Sequence, residues 1–263
     1  MDNYNNTDNK FRRYKAYVSI AGTTQFHLRN PYMIAWWSAA FPGFGHLLLS
    51  KYLRGLVLFI WEVVVNYNAR INLAMVHSFC GNIELAKESL DTRWMLMYIP
   101  VYIFGIWDSY RTCIDMNKVA LLAEREDAPF NSFSIGALEI NYLDKRKPEM
   151  SVLWSLFMPG LGQLHIHRVL SAFFSLIWTI IFLYFSKALI AVQLLFLGNI
   201  QQATFVLDKQ WLLYMPSMWG FAVYDSYMNT VENNKLYNWE QRAFLIKQFQ
   251  HPNFSIKKGK VVD

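Results

Sequence analysis

Two aspartates stand where a carboxylate could do chemistry. Asp108 and Asp225 lie 117 positions apart, each begins the tripeptide Asp-Ser-Tyr, and each follows an apolar run, "WMLMYIPVYIFGIW" in the case of Asp108. A carboxylate set among apolar segments can hold a proton or a cation. It can also hold a cationic side chain and so pin two segments together. Arg111, three residues after Asp108, is one helical turn away and placed to pair with it. Asp225 has Met228 at that spacing, so its partner must come from another segment. His46, Lys51, Gln163, His165 and Arg168 are the polar residues expected within reach of the acids. Pinning is the expected role, and a proton or ion role is its alternative.

Other chemistries find less support. His165 and His167 alternate, so on a helix they do not share a face, and no cysteine or acid cluster completes a metal set. Glu62 is matched by Thr179 at the 117-residue offset and is not a repeated feature. Glycine-rich phosphate loops followed by lysine, G-x-S-x-G and zinc-protease motifs do not occur. The expectation is therefore no enzyme, no catalytic residues, no metal and no cofactor. Arg70 and Lys187, again 117 apart, sit about 22 Å along a long apolar segment, where a basic side chain would snorkel to an interface.

The segments that carry these residues are those of a membrane protein. The chain has 263 residues, 54% hydrophobic and 17% charged, with 20 Phe, 15 Tyr and 10 Trp. Residues 169–186 carry no charge, which is long enough for a spanning helix. The net charge of +6 lies beside apolar segments, as on the inner side of membrane proteins, and no basic stripe with interleaved aromatics suggests nucleic acid. Cys80 and Cys113 fall at opposite ends of expected helices, which argues against a mutual disulfide. The polar first thirty residues do not read as a signal peptide.

Offsetting the chain by 117 aligns it with itself. Pro31, Met33, Trp37 and Ser38 meet Pro148, Met150, Trp154 and Ser155; "GNI" at 81–83 recurs at 198–200; Leu90-Asp91 recurs as Leu207-Asp208; Asn117-Lys118 recurs as Asn234-Lys235. The organisation read from this is a polar cytoplasmic tail (1–30), a first membrane unit (31–126), a cytoplasmic linker (127–147), a second unit (148–243) and a basic C-terminal tail (244–263). The amphipathic stretch 236–250 either lies on the inner membrane surface or continues the helix before it.

Each unit has three apolar segments, and the first is broken by Pro-Gly-x-Gly: Pro42-Gly43-Phe44-Gly45-His46 and Pro159-Gly160-Leu161-Gly162-Gln163. Proline and glycine are the residues least suited to a helix interior. Lys and Arg crowd the tail, the linker and the C-terminus, while the 80–93 and 198–210 loops hold few. Placing all three basic regions in the cytoplasm requires an even number of crossings per unit. The broken segment then enters and returns on one side, and the other two cross as a hairpin; a kinked but complete span, with six crossings in all, is the alternative. The fold class is all-α, polytopic, with two tandem units.

The paired patterns "FPGFGHLLLSKYLRG … IWDSY" and "MPGLGQLHIHRVLSA … VYDSY" resemble the bacterial TM-two domain family. The resemblance covers both units through the two Pro-Gly-x-Gly turns, with His46 or Gln163 after them, and through Asp108 and Asp225. The aromatic pair usual after that turn is Leu47-Leu48 here in one unit and Leu164-His165 in the other. The resemblance implies a small membrane domain in a bacterial cell membrane without an established catalytic set. The expected role is a membrane scaffold or interaction module with both termini cytoplasmic, a lipid bilayer around it, and a membrane protein or a second copy as partner. A small transporter or channel-like protein using the repeated aspartates is the alternative.

Overall fold

The computed structural model describes residues 11–137 and 139–250. The first ten residues of the polar tail and residues 251–263 of the basic tail lie outside them. The chain begins with a hairpin of β1 (Ala16–Ser19) and β2 (Gly22–Gln25). Six helices follow: α1 (Pro31–Ala40), α2 (Phe44–Leu48), α3 (Tyr52–Ala69), α4 (Ile71–Phe79), α5 (Ile83–Ser89) and α6 (Thr92–Glu126). The order then recurs as β3 (Phe133–Ile135), β4 (Ile140–Tyr142), α7 (Pro148–Phe157), α8 (Leu161–His165), α9 (Val169–Ser186), α10 (Ala188–Phe196), α11 (Ile200–Val206), α12 (Lys209–Leu212) and α13 (Tyr214–Phe249). The first residues of β1, α1, α2, α3, α4, α5 and α6 each reappear 117 positions on. The fold is mostly helical, as expected for an all-α chain, but the two hairpins were not anticipated. The second lies in the stretch read as linker, and Asn141 of β4 donates to the Ser19 carbonyl at 2.7 Å, joining hairpin to hairpin.

The Pro-Gly corner is local chemistry. Asn30 caps α1, its side chain accepting from Tyr32 N–H, and Pro31 fills the first helical position where no donor is missed. Phe41 precedes a proline and is pushed to extended backbone, φ −160°. Gly43 then turns the chain at φ 99°, a conformation that favours glycine. A Cβ there would strike the Gly55 carbonyl and approach Phe59 N to 2.9 Å. The chain reverses, so that α2 lies back along α1: a Cβ on Gly45 would come within 2.6 Å of the Ile34 carbonyl. Gly160 and Gly162 repeat the arrangement.

The α1–α2 hairpin lies against α6. Asn117 grips the backbone before α1, accepting from Arg29 N–H at 2.9 Å and donating to its carbonyl at 2.8 Å. Tyr102 donates to the Ala39 carbonyl at the far end of α1. Asn234 grips Arg146 in the same way.

The second apolar segments, expected as single helices over 53–79 and 170–197, are each split. Arg70 and Lys187 adopt left-handed backbone, φ 58° and 57°, and end α3 and α9. Asp91 N–H donates to the Ala69 carbonyl and Asp208 N–H to Ser186, both at 3.1 Å, which ties each break to the start of the following helix. Arg70 and Lys187 are thus exposed corner residues at the ends of α3 and α9, where a single continuous helix was expected. In the second unit Pro216 also denies the Leu212 carbonyl its helical donor, and α12 ends there. Stretch 236–249 continues α13.

Apolar side chains lie on the surface as well as in the core, and polar ones are buried beside them. Exposed side chains on α3, α6 and α9 include Ile60, Val64, Ile103, Phe104, Ile177 and Ile180. Ser38, His46, Ser109, Gln163, Thr179 and Asp225 are buried. An aromatic core of Phe41, Phe44, Phe59, Phe182, Tyr214 and Phe221 lies between the units. Among the described residues one helix, α9, is long and apolar enough to cross a membrane by length and composition, with a mean hydropathy of 2.0.

Candidate functional site

The two aspartates come to rest beside the two Pro-Gly corners. Asp108 accepts from Arg54 Nη1 at 2.7 Å and pairs with His46 Nε2 at 2.9 Å. His46 is fully buried, whereas the Arg54 side chain is 53% exposed. Asp225 is 1% exposed and is held more fully. Arg168 Nη1 donates to it at 2.6 Å, Asn229 Nδ2 at 2.8 Å and Gln163 Nε2 at 3.4 Å. Gln163 also donates to the Ala222 carbonyl at 3.1 Å.

His46 and Gln163 are equivalent positions, but the arginines are not: Arg54 corresponds to Ser171, and Arg168 to Lys51. The two units reach the same end, a guanidinium on the acid, from different places in the sequence. Arg168 does more than pair. Its Nη2 donates to Tyr52 Oη of the first unit at 3.1 Å, so the second unit's ion pair is also a bond across the seam.

A second polar cluster spans the seam at the opposite end. Asn66 donates to Glu62 Oε1 at 2.9 Å and to Asn72 Oδ1 at 3.1 Å. Asn72 donates to the Gln210 carbonyl, and Gln210 Oε1 accepts from Leu73 N–H at 2.8 Å. Gln210 Nε2 returns to Asn66. Glu62 is 4% exposed, and its Oε2 has no hydrogen-bond partner among the described residues. Sequence comparison between the units set Glu62 aside because Thr179 replaces it. The signal it missed was Glu62 and Asn66 one turn apart, followed by Asn72.

The chain matches no protein-family model, no curated protein and no solved structure. The likeness to TM-two units therefore rests on the two turns and two aspartates alone.

The other expected site residues are placed as follows. Arg111 does not pair with Asp108; its guanidinium lies over the Trp107 ring, 5.4 Å from the centroid. Arg111 stands four residues after Trp107, a spacing that lays it on that ring, while Asp108 is taken by Arg54 from α3 and by His46. His167 pairs with Arg146, Nη2 to Nε2 at 2.7 Å, and no three His, Cys, Asp or Glu side chains among the described residues are grouped to hold a metal ion. Cys80 and Cys113 are free, the first exposed and the second buried. Outside the apolar segments, His27 accepts from Arg29 Nε at 2.9 Å. Burial, and then the Arg29 charge, push its pKa down to about 3.

An apolar cavity of about 210 Å³ opens between α3 and α9 beside Asp225, walled by Leu53, Leu56, Leu170, Phe174 and Phe221. It is smaller than the roughly 300–1,000 Å³ usual for a small-molecule site.

Proposed function

We propose that the chain is a multi-pass protein of the cell membrane acting as a scaffold or interaction module without catalytic activity. The observation that carries this reading is how the buried charges are used. Each repeated aspartate is occupied by a guanidinium and by the residue that follows its Pro-Gly corner, so each acid fixes a broken segment to its own unit. An acid spent on packing is what a rigid platform needs.

The bilayer setting is supported by the exposed apolar faces of α3, α6 and α9 around a polar interior. Helices of 18 residues such as α3 and α9 are about 27 Å long, close to the roughly 30 Å of hydrocarbon. The α1–α2 hairpin reaches only the level of Tyr102 on α6, within the apolar stretch 94–107, and then returns. That depth favours a re-entrant segment and four crossings. The corner is covered by α3 and α6, which is where broken backbone is tolerated at membrane depth. Arg29, Lys118, Arg125 and Arg146 lie at the end where α1 and α7 begin, which suits a cytoplasmic face.

A transporter is the second reading, favoured by the buried Glu62 and its unpartnered oxygen at the seam. Reconstitution in vesicles loaded with a pH-sensitive dye separates the two. Asp108→Asn and Asp225→Asn together are expected to loosen the fold with no proton flux to lose. A wild-type flux abolished by the pair of substitutions, or by Glu62→Gln, would contradict the scaffold reading.

A further inference from the structure

We propose that this chain binds a second copy of itself head to tail, through the outer face of α6 on one copy and the outer face of α7 and α8 on the other. The template is the seam inside one chain. There Trp37 of α1 lies against Phe221 and Tyr224 of α13, with ring centroids 6.0 and 5.2 Å apart, and Phe44 of α2 stacks on Phe221 at 4.0 Å. Phe44 is fully buried and Phe221 is 2% exposed.

Moved by 117 residues, Trp37 becomes Trp154 on α7, while Phe221 and Tyr224 correspond to Phe104 and Trp107 on α6. These are again large aromatic side chains, and they are uncovered: Trp154, Phe104 and Trp107 are 44%, 49% and 51% exposed. In a bilayer, exposure of such residues to lipid is ordinary. What distinguishes these three is that their counterparts, buried Phe221 and half-buried Trp37 and Tyr224, form the aromatic contact of an interface already present in the molecule.

That interface is heterologous. A two-fold relation between the units would lay Trp154 on Phe104 and Trp107 of the same chain, and all three would be buried. Each chain instead presents Trp154 on one face and Phe104 and Trp107 on another, the uncovered equivalents of Trp37, Phe221 and Tyr224, with Leu161 in the place of Phe44. A contact of this kind passes from chain to chain, closing as a ring or continuing as a filament. The polar part of the seam is not repeated, since Asn72 and Gln210 correspond to Leu189 and Arg93. Contact between copies therefore rests on aromatic packing and is weaker than the seam. This deepens the scaffold reading by naming the partner, and it relies on that reading for the bilayer setting.

The test uses full-length chains lacking Cys80 and Cys113, with Met150→Cys in one tagged chain and Arg111→Cys in another, exposed positions equivalent to Met33 and Met228 beside the seam, so that Trp154, Phe104 and Trp107 stay in place. Membranes holding both are treated with a short bifunctional thiol reagent. A head-to-tail contact predicts at least about tenfold more mixed adduct than either variant gives alone, because only an isologous contact links a site to itself. Absence of the mixed adduct, or self-linking of the Met150→Cys chain, would overturn the proposal. The unmodified protein in nanodiscs gives an independent reading. A mass above that of one 31.0 kDa chain is expected, and a monomer at every concentration would overturn it. Recovery of the chain in the alkali-washed membrane pellet is scored separately, and its absence would count against the bilayer setting and not against the contact.

Discussion

Replacing Arg168 by leucine removes from Asp225 the cation that contacts it. Both side chains are nearly inaccessible, 4% and 2% exposed, and what remains on the acid is Asn229 at 2.8 Å and Gln163 at 3.4 Å. Breaking a buried pair by deleting one partner costs about 3–5 kcal/mol, because the other charge stays buried without compensation. For a chain of this size each kcal/mol moves the midpoint by roughly 2–4 °C, so Arg168→Leu is expected to lower it by about 6–20 °C. Arg54→Leu is the control. It removes the equivalent cation from Asp108, but Arg54 is 53% exposed, and pairs that open to solvent are worth about 1 kcal/mol or less. Removing the acid as well, in Arg168→Leu with Asp225→Leu, is expected to restore much of the loss, since a buried pair replaced by apolar residues is often neutral. The assay is thermal unfolding of purified protein in one detergent, followed by tryptophan fluorescence. Equal effects of Arg168→Leu and Arg54→Leu would refute the reasoning that Asp225 is the buried anchor and Asp108 the wet one.

Two further outcomes follow from the geometry. Gly43→Ala and Gly160→Ala face both a left-handed φ and backbone atoms in the way, whereas Gly81 and Gly198 share the φ, 79° and 80°, with nothing within 4 Å of a Cβ. The second pair should therefore cost only the roughly 1–2 kcal/mol of backbone strain and the first pair clearly more; thermal unfolding that ranks all four alike would contradict the close packing of the corner. His27 stays neutral in the native state to about pH 3, while the unfolded chain takes up a proton below its ordinary 6.5. The unfolded state then binds more protons, so this residue's contribution to stability falls as pH drops from 6.5 toward 3. Denaturant melts of wild type and His27→Gln across that window should show a shallower slope for the variant, and identical slopes would remove His27 as the cause.

The 117-residue repeat was legible because it is written in identities, and the Pro-Gly corners because proline and glycine act through their own backbone. The reach of His46, Gln163 and Arg168 to the acids followed from folding the corner back. What stayed hidden depends on tertiary contacts. Apolar periodicity runs straight through Arg70 and Lys187, and the breaks are fixed by hydrogen bonds to Asp91 and Asp208 from far along the chain. The hairpins "AYVSIAGTTQ" and "FSIGALEINY" share backbone pairing with little shared sequence, so the offset comparison did not see them. Arg54 was missed because its equivalent is Ser171, and Glu62 because its equivalent is Thr179: comparing units finds what is shared, and the seam is built from what is not.

The central claim is a four-crossing membrane protein with its hairpin units side by side and their broken segments returning to the cytoplasm. The measurement that meets it most directly is cysteine labelling of intact cells with a membrane-impermeant thiol reagent, in a chain lacking Cys80 and Cys113. Single cysteines replace Asn5 in the tail, exposed Ala137 in the turn after β3, and exposed Glu88 on α5. Labelling at position 88 alone is the predicted result. Labelling at position 137 but not position 5 would mean three crossings per unit with the second unit inverted, and would contradict the account.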